Sequence, residues 1–356
     1  MTSLTIDLEA VAANWQRLRA RHGAPTAAVV KADGYGLGAV QVATRLYHEG
    51  ARHFFVAHLE EGTRLRSHLP GAMIAILNGF FPGQEGIYST QNLAPVLGNA
   101  AEIAAARAHA HHIGRALPVL LHIDSGMNRL GLSPAELDRL AANPADVDGL
   151  TILYLMTHLA NAEVPGDPRN LQQISRFHAA CARLPPAPRS IANSSGLFLG
   201  PAFRSDLARP GAALYGINPT PGAPNPMRPV IRLTAPVLQV RDIPAGEPVG
   251  YNAIWTAARP TRVATVCVGY ADGYHRALSN QGYAVFDGAR LPLIGRVSMD
   301  LATFDATDAP GVVRGCALEL IGPAIPPDEV AQLAGTNGYE ILTSLGTRGA
   351  RVYAPL

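Results

Sequence analysis

The chain has 356 residues, of which 48% are hydrophobic and 16% are charged, and it contains 35 glycines and 29 prolines. This composition predicts a globular protein rich in tight turns and argues against a disordered chain, and the length suggests two domains at roughly 150 residues each. The 29 Lys and Arg residues nearly balance the 27 Asp and Glu residues, so the charge does not support nucleic acid binding.

The amino terminus of the chain shows no targeting signal. It lacks the basic start and the continuous apolar stretch of a signal peptide, and no segment approaches the roughly 18 unbroken apolar residues of a membrane span. Cys181, Cys267 and Cys316 lie far apart, without paired spacing or metal-like neighbours. Such cysteines are typical of a reduced, cytosolic protein. We therefore expect a cytoplasmic protein without a membrane partner or a metal site.

The first distinctive segment spans residues 27–38 and centres on Lys31. A run of small and β-branched apolar residues predicts a buried strand, which delivers Lys31 into a loop that holds three glycines and Tyr35. Burial at the end of a strand lowers the pKa of a lysine amine and makes its neutral, nucleophilic form accessible, as a Schiff-base lysine requires. A lysine whose amine reaches solvent is the ordinary alternative, and strand position alone leaves both open.

Strand-like and helix-like segments alternate through the first part of the chain. Apolar runs predict eight strands, at residues 27–31, 53–57, 73–77, 93–97, 118–123, 150–156, 189–192 and 206–209. Between them, apolar residues at spacings of three and four predict helices, for example over residues 39–49, 60–67, 101–110 and 172–183. This pattern predicts an α/β fold with an N-terminal (β/α)8 TIM barrel. A doubly wound open sheet fits the alternation nearly as well.

Reactive side chains follow several of the predicted strands. They are Lys31, His158, Ser194 and Arg209, together with the polar segment at residues 124–129. His158 alone is consistent with a structural histidine, and Ser194 alone with a turn or a helix cap. The carboxyl ends of barrel strands meet at one face, where the active sites of such barrels lie. The shared position of these side chains therefore favours an active site.

The sequence changes character near residue 215. Residues 219–226 are too rich in proline for a helix or a central strand and predict a linker. A compact, mainly β domain is then predicted, with strands at residues 230–239, 261–268, 283–286, 290–294 and 301–304. We therefore divide the chain into a barrel over residues 1–222 and a β domain over residues 223–356. Two distinctive loops, at residues 249–256 and 295–300, are interpreted either as hairpin tips or as functional loops.

Five segments taken together resemble the alanine racemase family. They are residues 28–38, 124–131, 209–216, 250–251 and 296–300, and they follow one another in the family order. The resemblance implies a pyridoxal 5′-phosphate-dependent enzyme that interconverts L- and D-alanine. It also implies an N-terminal (β/α)8 barrel, a C-terminal β domain and a homodimer whose active sites are shared between subunits. The cofactor supplies the electron sink without which a side chain cannot remove the Cα proton.

By the same resemblance, two residues carry out catalysis. Lys31 binds the cofactor covalently and then acts as the base on the face of D-alanine, and the partner subunit's Tyr251 acts as the base on the face of L-alanine. A phenol ionises near pH 10, so this role needs neighbouring positive charge. Arg209 contacts the pyridine nitrogen of the cofactor, and His158 hydrogen-bonds to Arg209 and orients it.

The remaining implied residues bind the phosphate of the cofactor and the carboxylate of the substrate. Phosphate contacts are implied for Tyr35, Ser194 and the backbone amides of Gly211 and Ala212, because backbone donors at a loop that enters a helix suit a dianion. The substrate carboxylate is implied to meet Arg129 and the backbone amide of Met299.

Some positions depart from the family pattern. Many members carry a lysine that becomes carbamylated and supports the arginine corresponding to Arg129, and this chain has His122 there. The phosphate-binding tyrosine near the carboxyl terminus aligns with Thr347. A racemase that also accepts serine or longer amino acids is therefore a second interpretation. A non-catalytic barrel that carries pyridoxal phosphate and a decarboxylase of basic amino acids are further alternatives. The sequence leaves open whether the enzyme supplies D-alanine for peptidoglycan or degrades alanine.

Overall fold

The computed structural model describes residues 2–356, which form a curled parallel sheet wrapped by helices and a second, mainly antiparallel sheet. The chain begins with strand β1 (Ser3–Ile6) and helix α1 (Leu8–His22). Seven parallel strands follow, each paired with the next along the chain: β2 (Ala28–Val29), β3 (His53–Val56), β4 (Met73–Ile76), β5 (Ala94–Leu97), β6 (Leu117–His122), β7 (Leu150–Met156) and β8 (Arg189–Ser190).

Leu207 and Ala208 close the parallel sheet into a barrel. Leu207 bridges Ser190 of β8, and Ala208 bridges Thr26, which lies just before β2. The amide of Ala27 donates to the carbonyl of Ala208 at 2.8 Å. The eighth barrel position is thus a pair of isolated bridges where the sequence predicts a strand. The predicted α/β fold with an N-terminal barrel is confirmed.

Helices cover the outside of the barrel, in the alternation that the sequence predicts. They are α3 (Ala39–His48), α4 (Leu59–Arg66), α5 (Glu85–Thr90), α6 (Ala100–Ile113), α7 (Pro134–Ala142) and α8 (Pro168–Cys181). The short element α2 (Lys31–Tyr35), between β2 and α3, is a left-handed turn and not a covering helix. Local sequence sets the ends of the covering helices. Helix α7, for example, begins at a capping box of Ser133 and Glu136, with Pro134 in its first turn. No helix within residues 2–356 is long and apolar enough to cross a membrane.

The barrel strands are buried on both faces, because side chains fill the interior and helices pack outside. Successive residues of a strand point to opposite faces. Phe55 of β3 joins an interior cluster with Val29 and Leu120, whereas Phe54 and Val56 join the larger core between the sheet and the helices. This double burial explains why the strands are short, nearly continuous apolar runs in the sequence.

The second sheet contains the first strand of the chain as well as the C-terminal ones. Its other strands are β9 (Ile231–Ile243), β10 (Thr261–Val266), β11 (Tyr283–Phe286), β12 (Ala289–Pro292), β13 (Ala302–Asp305), β14 (Ala317–Ile321) and β15 (Ala350–Tyr353). Helices α9 (Pro327–Ala334) and α10 (Gly338–Ser344) precede the last strand. Strand β1 lies between β9 and β15, with Ser3 opposite both Thr234 and Ala350. The predicted division at residue 222 assigns β1 to the barrel, but β1 pairs with strands of the second sheet.

Strand β1 should contribute strongly to stability because it is sandwiched between two strands. Ile6 is fully buried, whereas Thr5 on the opposite face is partly exposed. We expect Ile6→Ala to lower the free energy of unfolding by about 2 to 5 kcal/mol, through lost burial and the cavity left behind. Urea denaturation followed by circular dichroism measures this change. Thr5→Ala is the matched control, and an equal effect of the two substitutions would contradict the role given to β1.

Candidate active site

A cavity of about 580 Å³ opens where the barrel strands end. Eight of the residues predicted for the site line it: Lys31, Tyr35, Arg129, His158, Ser194, Arg209, Gly211 and Ala212. His122 lies in the same wall. These residues follow five different barrel positions, so only the closed barrel brings them together. This convergence is typical of barrel active sites.

Lys31 opens a left-handed turn over residues 31–36, which we call the lysine turn. Ala32, Asp33 and Tyr35 have φ angles of 53°, 53° and 54°, in a region that costs an L-residue about 1 to 2 kcal/mol. Backbone strain of this kind persists only where the surrounding structure holds it, and it occurs preferentially at functional sites. The turn leads the chain away from the strand at once and leaves Lys31 in the cavity wall.

The surroundings of Lys31 favour its neutral amine. Burial lowers the pKa of the amine, the positive charge of Arg129 lowers it further, and the carboxylate of Glu61 acts in the opposite direction. A lowered pKa increases the fraction of neutral amine near neutral pH, which is the form that a nucleophile or a base needs. Lys31 is also the single lysine among the 29 cationic residues of the chain, so it is the only side-chain amine that can react with an aldehyde.

One end of the cavity is formed by tyrosines packed against glycine. The ring of Tyr35 stacks on Tyr215, with centroids 4.7 Å apart, and meets the edge of Tyr339 at 6.5 Å. A Cβ atom at Gly211 would lie 2.4 Å from the Tyr35 hydroxyl oxygen, so only glycine fits there. Burial raises the pKa of Tyr35 to about 12, and its hydroxyl is therefore a hydrogen-bond donor at neutral pH.

Of the backbone amides beside these tyrosines, two have a hydrogen-bond acceptor and one has none among the described residues. The N–H groups of Gly211 and Ala213 donate to the hydroxyl oxygen of Ser194 at 3.0 and 3.1 Å. The N–H of Ala212 opens a 3-10 turn (Ala212–Tyr215) and has no acceptor in the part of the chain that the structure describes. A buried donor without an acceptor, in the wall of a cavity, suits an anion. Of the two predicted amides, Ala212 is the one left free.

Arg209 is held rigidly and remains charged. It is 4% exposed, and its guanidinium donates to the hydroxyl oxygen of Ser190 and to the carbonyl of Thr157, each at 2.5 Å. Burial lowers its pKa to about 10, which still leaves the side chain protonated at neutral pH. The predicted hydrogen bond between His158 and Arg209 is not among the contacts of residues 2–356. The two terminal nitrogens of the Arg209 guanidinium donate instead to Ser190 and Thr157.

Two histidines in the cavity wall are neutral. Burial, aided by the charges of Arg209 and Arg129, lowers the pKa of His122 to about 4 and that of His158 to about 3. A neutral imidazole cannot supply the negative charge of a carbamylated lysine. Arg129 is instead positioned by its backbone: the carboxylate of Asp124 accepts the amides of the three residues before it, and Arg129 follows at the exposed rim.

Two predicted site residues lie outside this cavity. Tyr251 is 70% exposed on a 3-10 turn (Tyr251–Ala253), and Met299 is 54% exposed in the loop before β13. Neither lines the cavity that contains Lys31. The fold of one chain thus brings together eight of the predicted residues and displays the other two at its surface.

Tyr339 lines the cavity although the sequence analysis missed it. It lies in the first turn of α10, its ring meets Tyr35, and its hydroxyl donates to Glu163, another residue of the cavity wall. Thr347 does not line the cavity, so Tyr339 is the C-terminal tyrosine that reaches it. The helix signal at Asn337, whose side chain caps α10, could have directed attention to this residue.

Comparison with known proteins points to one family for the whole chain. Residues 6–219 match the description "Alanine racemase, N-terminal domain", and residues 230–353 match "Alanine racemase, C-terminal domain". The chain belongs to the alanine racemase family. Its activity is therefore the interconversion of L- and D-alanine, an isomerase reaction with alanine as the substrate and pyridoxal 5′-phosphate as the cofactor.

Relatives match over nearly the full length. The alanine racemase of Acidiphilium cryptum is 56% identical over 350 residues, which cover 98% of each chain. A catabolic alanine racemase of Mesorhizobium japonicum is 49% identical, over 98% of this chain and 92% of that one. The crystal structure of alanine racemase from Bartonella henselae, with covalently bound pyridoxal phosphate, is 41% identical, with a TM-score of 0.96 and 99% coverage of both chains. The match to both domains argues against a barrel that only carries the cofactor.

The cavity residues fit the alanine racemase cofactor. Lys31 offers the one side-chain amine for its aldehyde, and Arg209 offers a fixed cation in the same wall. The free amide of Ala212 and the hydroxyl of Tyr35 are donors suited to a phosphate. The space beside the Tyr35 hydroxyl exists only because residue 211 has no Cβ atom.

A side chain at residue 211 should therefore impair cofactor binding. In Gly211→Ala the new Cβ must displace Tyr35, whose ring is confined between Tyr215 and Tyr339. We expect the dissociation constant for pyridoxal 5′-phosphate to rise about tenfold or more, a change of about 1.4 kcal/mol. Fluorescence titration of the cofactor-free chain measures it. Gly86→Ala is the control because a Cβ there meets nothing within 4 Å, and unchanged binding in Gly211→Ala would refute the steric argument.

The neutral histidines should make the fold sensitive to acid. In the unfolded chain a histidine takes up a proton near pH 6.5, whereas His122 resists protonation until about pH 4 in the folded state. Stability linked to this residue is thus present above pH 6.5 and is lost as the pH falls towards 4. We expect His122→Gln to remove about 2 to 3 kcal/mol of that pH dependence. Urea denaturation of the cofactor-free chain at several pH values tests this, and parallel pH profiles for both chains would contradict it.

Proposed function

We propose that Lys31 and Tyr251 are the two acid/base groups of alanine racemisation, and that they come from different subunits of a homodimer. The observation that carries this proposal is the separation of the two residues within one chain. Lys31 lies in the cavity wall, whereas Tyr251 is 70% exposed and outside that wall. A second copy of the chain, bound over the cavity, supplies the missing group.

Lys31 acts at its Nζ atom. When bound there, pyridoxal 5′-phosphate supplies the electron sink that makes the substrate Cα proton acidic enough for removal. The lysine amine would hold the cofactor and, when free, would take or return the proton on the D-alanine face. Burial and the charge of Arg129 support this role because they favour the unprotonated amine. The lysine turn keeps the amine from leaving the cavity wall.

Tyr251 acts at its hydroxyl oxygen on the L-alanine face. Racemisation needs a second group there, because a single base tends to return the proton to the face from which it came. Arg129 stands at the exposed rim of the cavity. Its guanidinium supplies positive charge to an incoming phenol and pairs with the substrate carboxylate. The backbone amide of Met299, on a loop exposed like that of Tyr251, completes the carboxylate site.

The other cavity residues bind and orient. Tyr35 and the Ala212 amide donate to the cofactor phosphate, and Ser194 holds the Gly211 amide so that this loop keeps its shape. Arg209 would present a fixed positive charge to the ring nitrogen of the cofactor and would so disfavour protonation there. His158 packs in the same wall as a neutral group. Tyr339 completes the tyrosine end of the cavity, where its hydroxyl donates to Glu163.

Exposed apolar residues, one of them in the cavity wall and the others in the C-terminal half of the chain, support the dimer. Leu130 is 51% exposed next to Arg129, and Tyr270, Met299 and Leu301 are 45%, 54% and 39% exposed. Exposed apolar side chains of this size suit a contact with another protein, and two-fold symmetric dimers are the commonest homo-oligomers. We further propose a cytoplasmic enzyme, where the free cysteines stay reduced, that supplies D-alanine for peptidoglycan or degrades alanine.

Mixed dimers test the proposal directly. Lys31→Ala and Tyr251→Phe chains are expected to be nearly inactive alone, measured as the conversion of L-alanine to D-alanine. A dimer with one chain of each kind regains one intact site, because Lys31 and Tyr251 then come from different chains. Random mixing should therefore restore about a quarter of the wild-type activity.

The same experiment contains its refutation. If Tyr251 served the site of its own chain, neither site of the mixed dimer would be intact and no activity would return. A wild-type chain that exchanges no α-proton in the presence of pyridoxal 5′-phosphate would overturn the assignment of the reaction to this site. Size-exclusion chromatography with light scattering measures the dimer in parallel.

A further inference from the structure

Helix α4 contacts the lysine turn at two successive residues. The amide of Ala32, which directly follows Lys31, donates to Oε1 of Glu61 at 2.7 Å. The carboxylate of Asp33 accepts a hydrogen bond from Arg64, at 2.8 Å. Glu61 and Arg64 are three residues apart and so share one face of the helix. This face meets the part of the turn whose backbone is strained.

Glu61 uses its two carboxylate oxygens for different purposes. Oε2 accepts the amides of Ala57 and His58 at 2.7 and 3.0 Å, and so caps the start of α4. Oε1 does not take part in the cap and accepts the amide of Ala32 instead. The same side chain therefore fixes the helix to the end of β3 and fixes the lysine turn to the helix. An ordinary cap would require only one of these oxygens.

The charge of Glu61 also matters because most charges around Lys31 are positive. The charged and titratable groups in the same cavity wall are Tyr35, His122, Arg129, His158, Glu163, Arg209 and Tyr339. Two of these carry a positive charge, both histidines are neutral, and the carboxylate of Glu163 is exposed and bonded to Tyr339. Glu61 is the carboxylate that acts on the Lys31 amine.

We propose that Glu61 is a positioning residue for Lys31, which clamps the peptide bond after the lysine and opposes the positive charge of Arg129. The proposal rests on the proposed role of Lys31 and adds what holds that lysine in place. Glu61 does not touch the substrate or the cofactor. It acts through the backbone of the lysine turn and through its charge.

The single lysine of the chain makes a direct test feasible. Lys31 and the amino terminus are the only amines that an acetylating reagent can label, and mass spectrometry of peptides reads both labels in the full-length chain freed of cofactor. Glu61→Gln keeps the shape of the side chain and removes its charge, so the pH midpoint of Lys31 labelling should fall by about one unit. The amino terminus is the internal reference, with its midpoint unchanged.

Glu60→Gln is the matched control. Glu60 is the exposed neighbour of Glu61 on α4 and has no hydrogen bond or ion pair in residues 2–356. The pH midpoint of Lys31 labelling in the Glu60→Gln chain should therefore equal that of the wild type. A structural defect alone would expose the buried amine and raise its midpoint, in the opposite direction to the expected fall. An unchanged midpoint in a folded Glu61→Gln chain would overturn the proposal.

A second variant keeps the proposal testable if Glu61→Gln does not fold. Glu61→Asp retains the charge but shortens the reach to Ala32. We expect faster hydrogen exchange in a peptide over residues 31–38 of the cofactor-bound enzyme, together with a Lys31 midpoint near that of the wild type. Unchanged exchange in this variant would count against the clamp. Neither readout requires racemisation, so an inactive wild-type chain would defeat the proposed function without deciding this test.

Discussion

A lysine that is followed at once by a backbone turn which L-residues avoid is the constraint on which this structure depends. Three non-glycine residues of the lysine turn have positive φ angles, and their combined cost is several kcal/mol. The turn persists because its neighbours hold it: Glu61 accepts the amide of Ala32, Arg64 pairs with Asp33, and Tyr215 stacks on Tyr35. Glu61 and Arg64 lie on α4, whereas Tyr215 follows the eighth barrel position, so the turn is held from both sides only when the barrel closes.

The electrostatics of the cavity follow from the same packing. Arg209 is buried, yet it stays charged because Ser190 and the Thr157 carbonyl accept its hydrogen bonds. Its charge, together with burial, keeps His122 and His158 neutral. The positive charge of Arg129 then favours an unprotonated Lys31. A wall of fixed cations and neutral imidazoles thus suits a site that binds a phosphate and a carboxylate while keeping one amine reactive.

The second sheet and the helices beside it are connected to the barrel at two places. Strand β1 joins it to the start of the barrel, between β9 and β15. Helix α10 reaches back and places Tyr339 against Tyr35. The same half of the chain displays Tyr251 and Met299 at the surface. The C-terminal half therefore completes one end of its own cavity, and we propose that it completes the cavity of a partner as well.

The sequence by itself determined the barrel and most of the cavity, because both depend on local pattern. Buried parallel strands are short apolar runs, and their carboxyl ends meet at one face, so Lys31, His158, Ser194 and Arg209 could be placed together from their positions alone. Tertiary structure decided what depends on contacts between distant segments. The pairing of β1 with β15, the reach of Tyr339 to Tyr35, the acceptors of Arg209 and the hold of Glu61 on Ala32 join residues far apart in the chain. The spacing of apolar residues along the sequence does not predict such contacts, since the residues meet only after the barrel has closed and the second sheet has packed beside it.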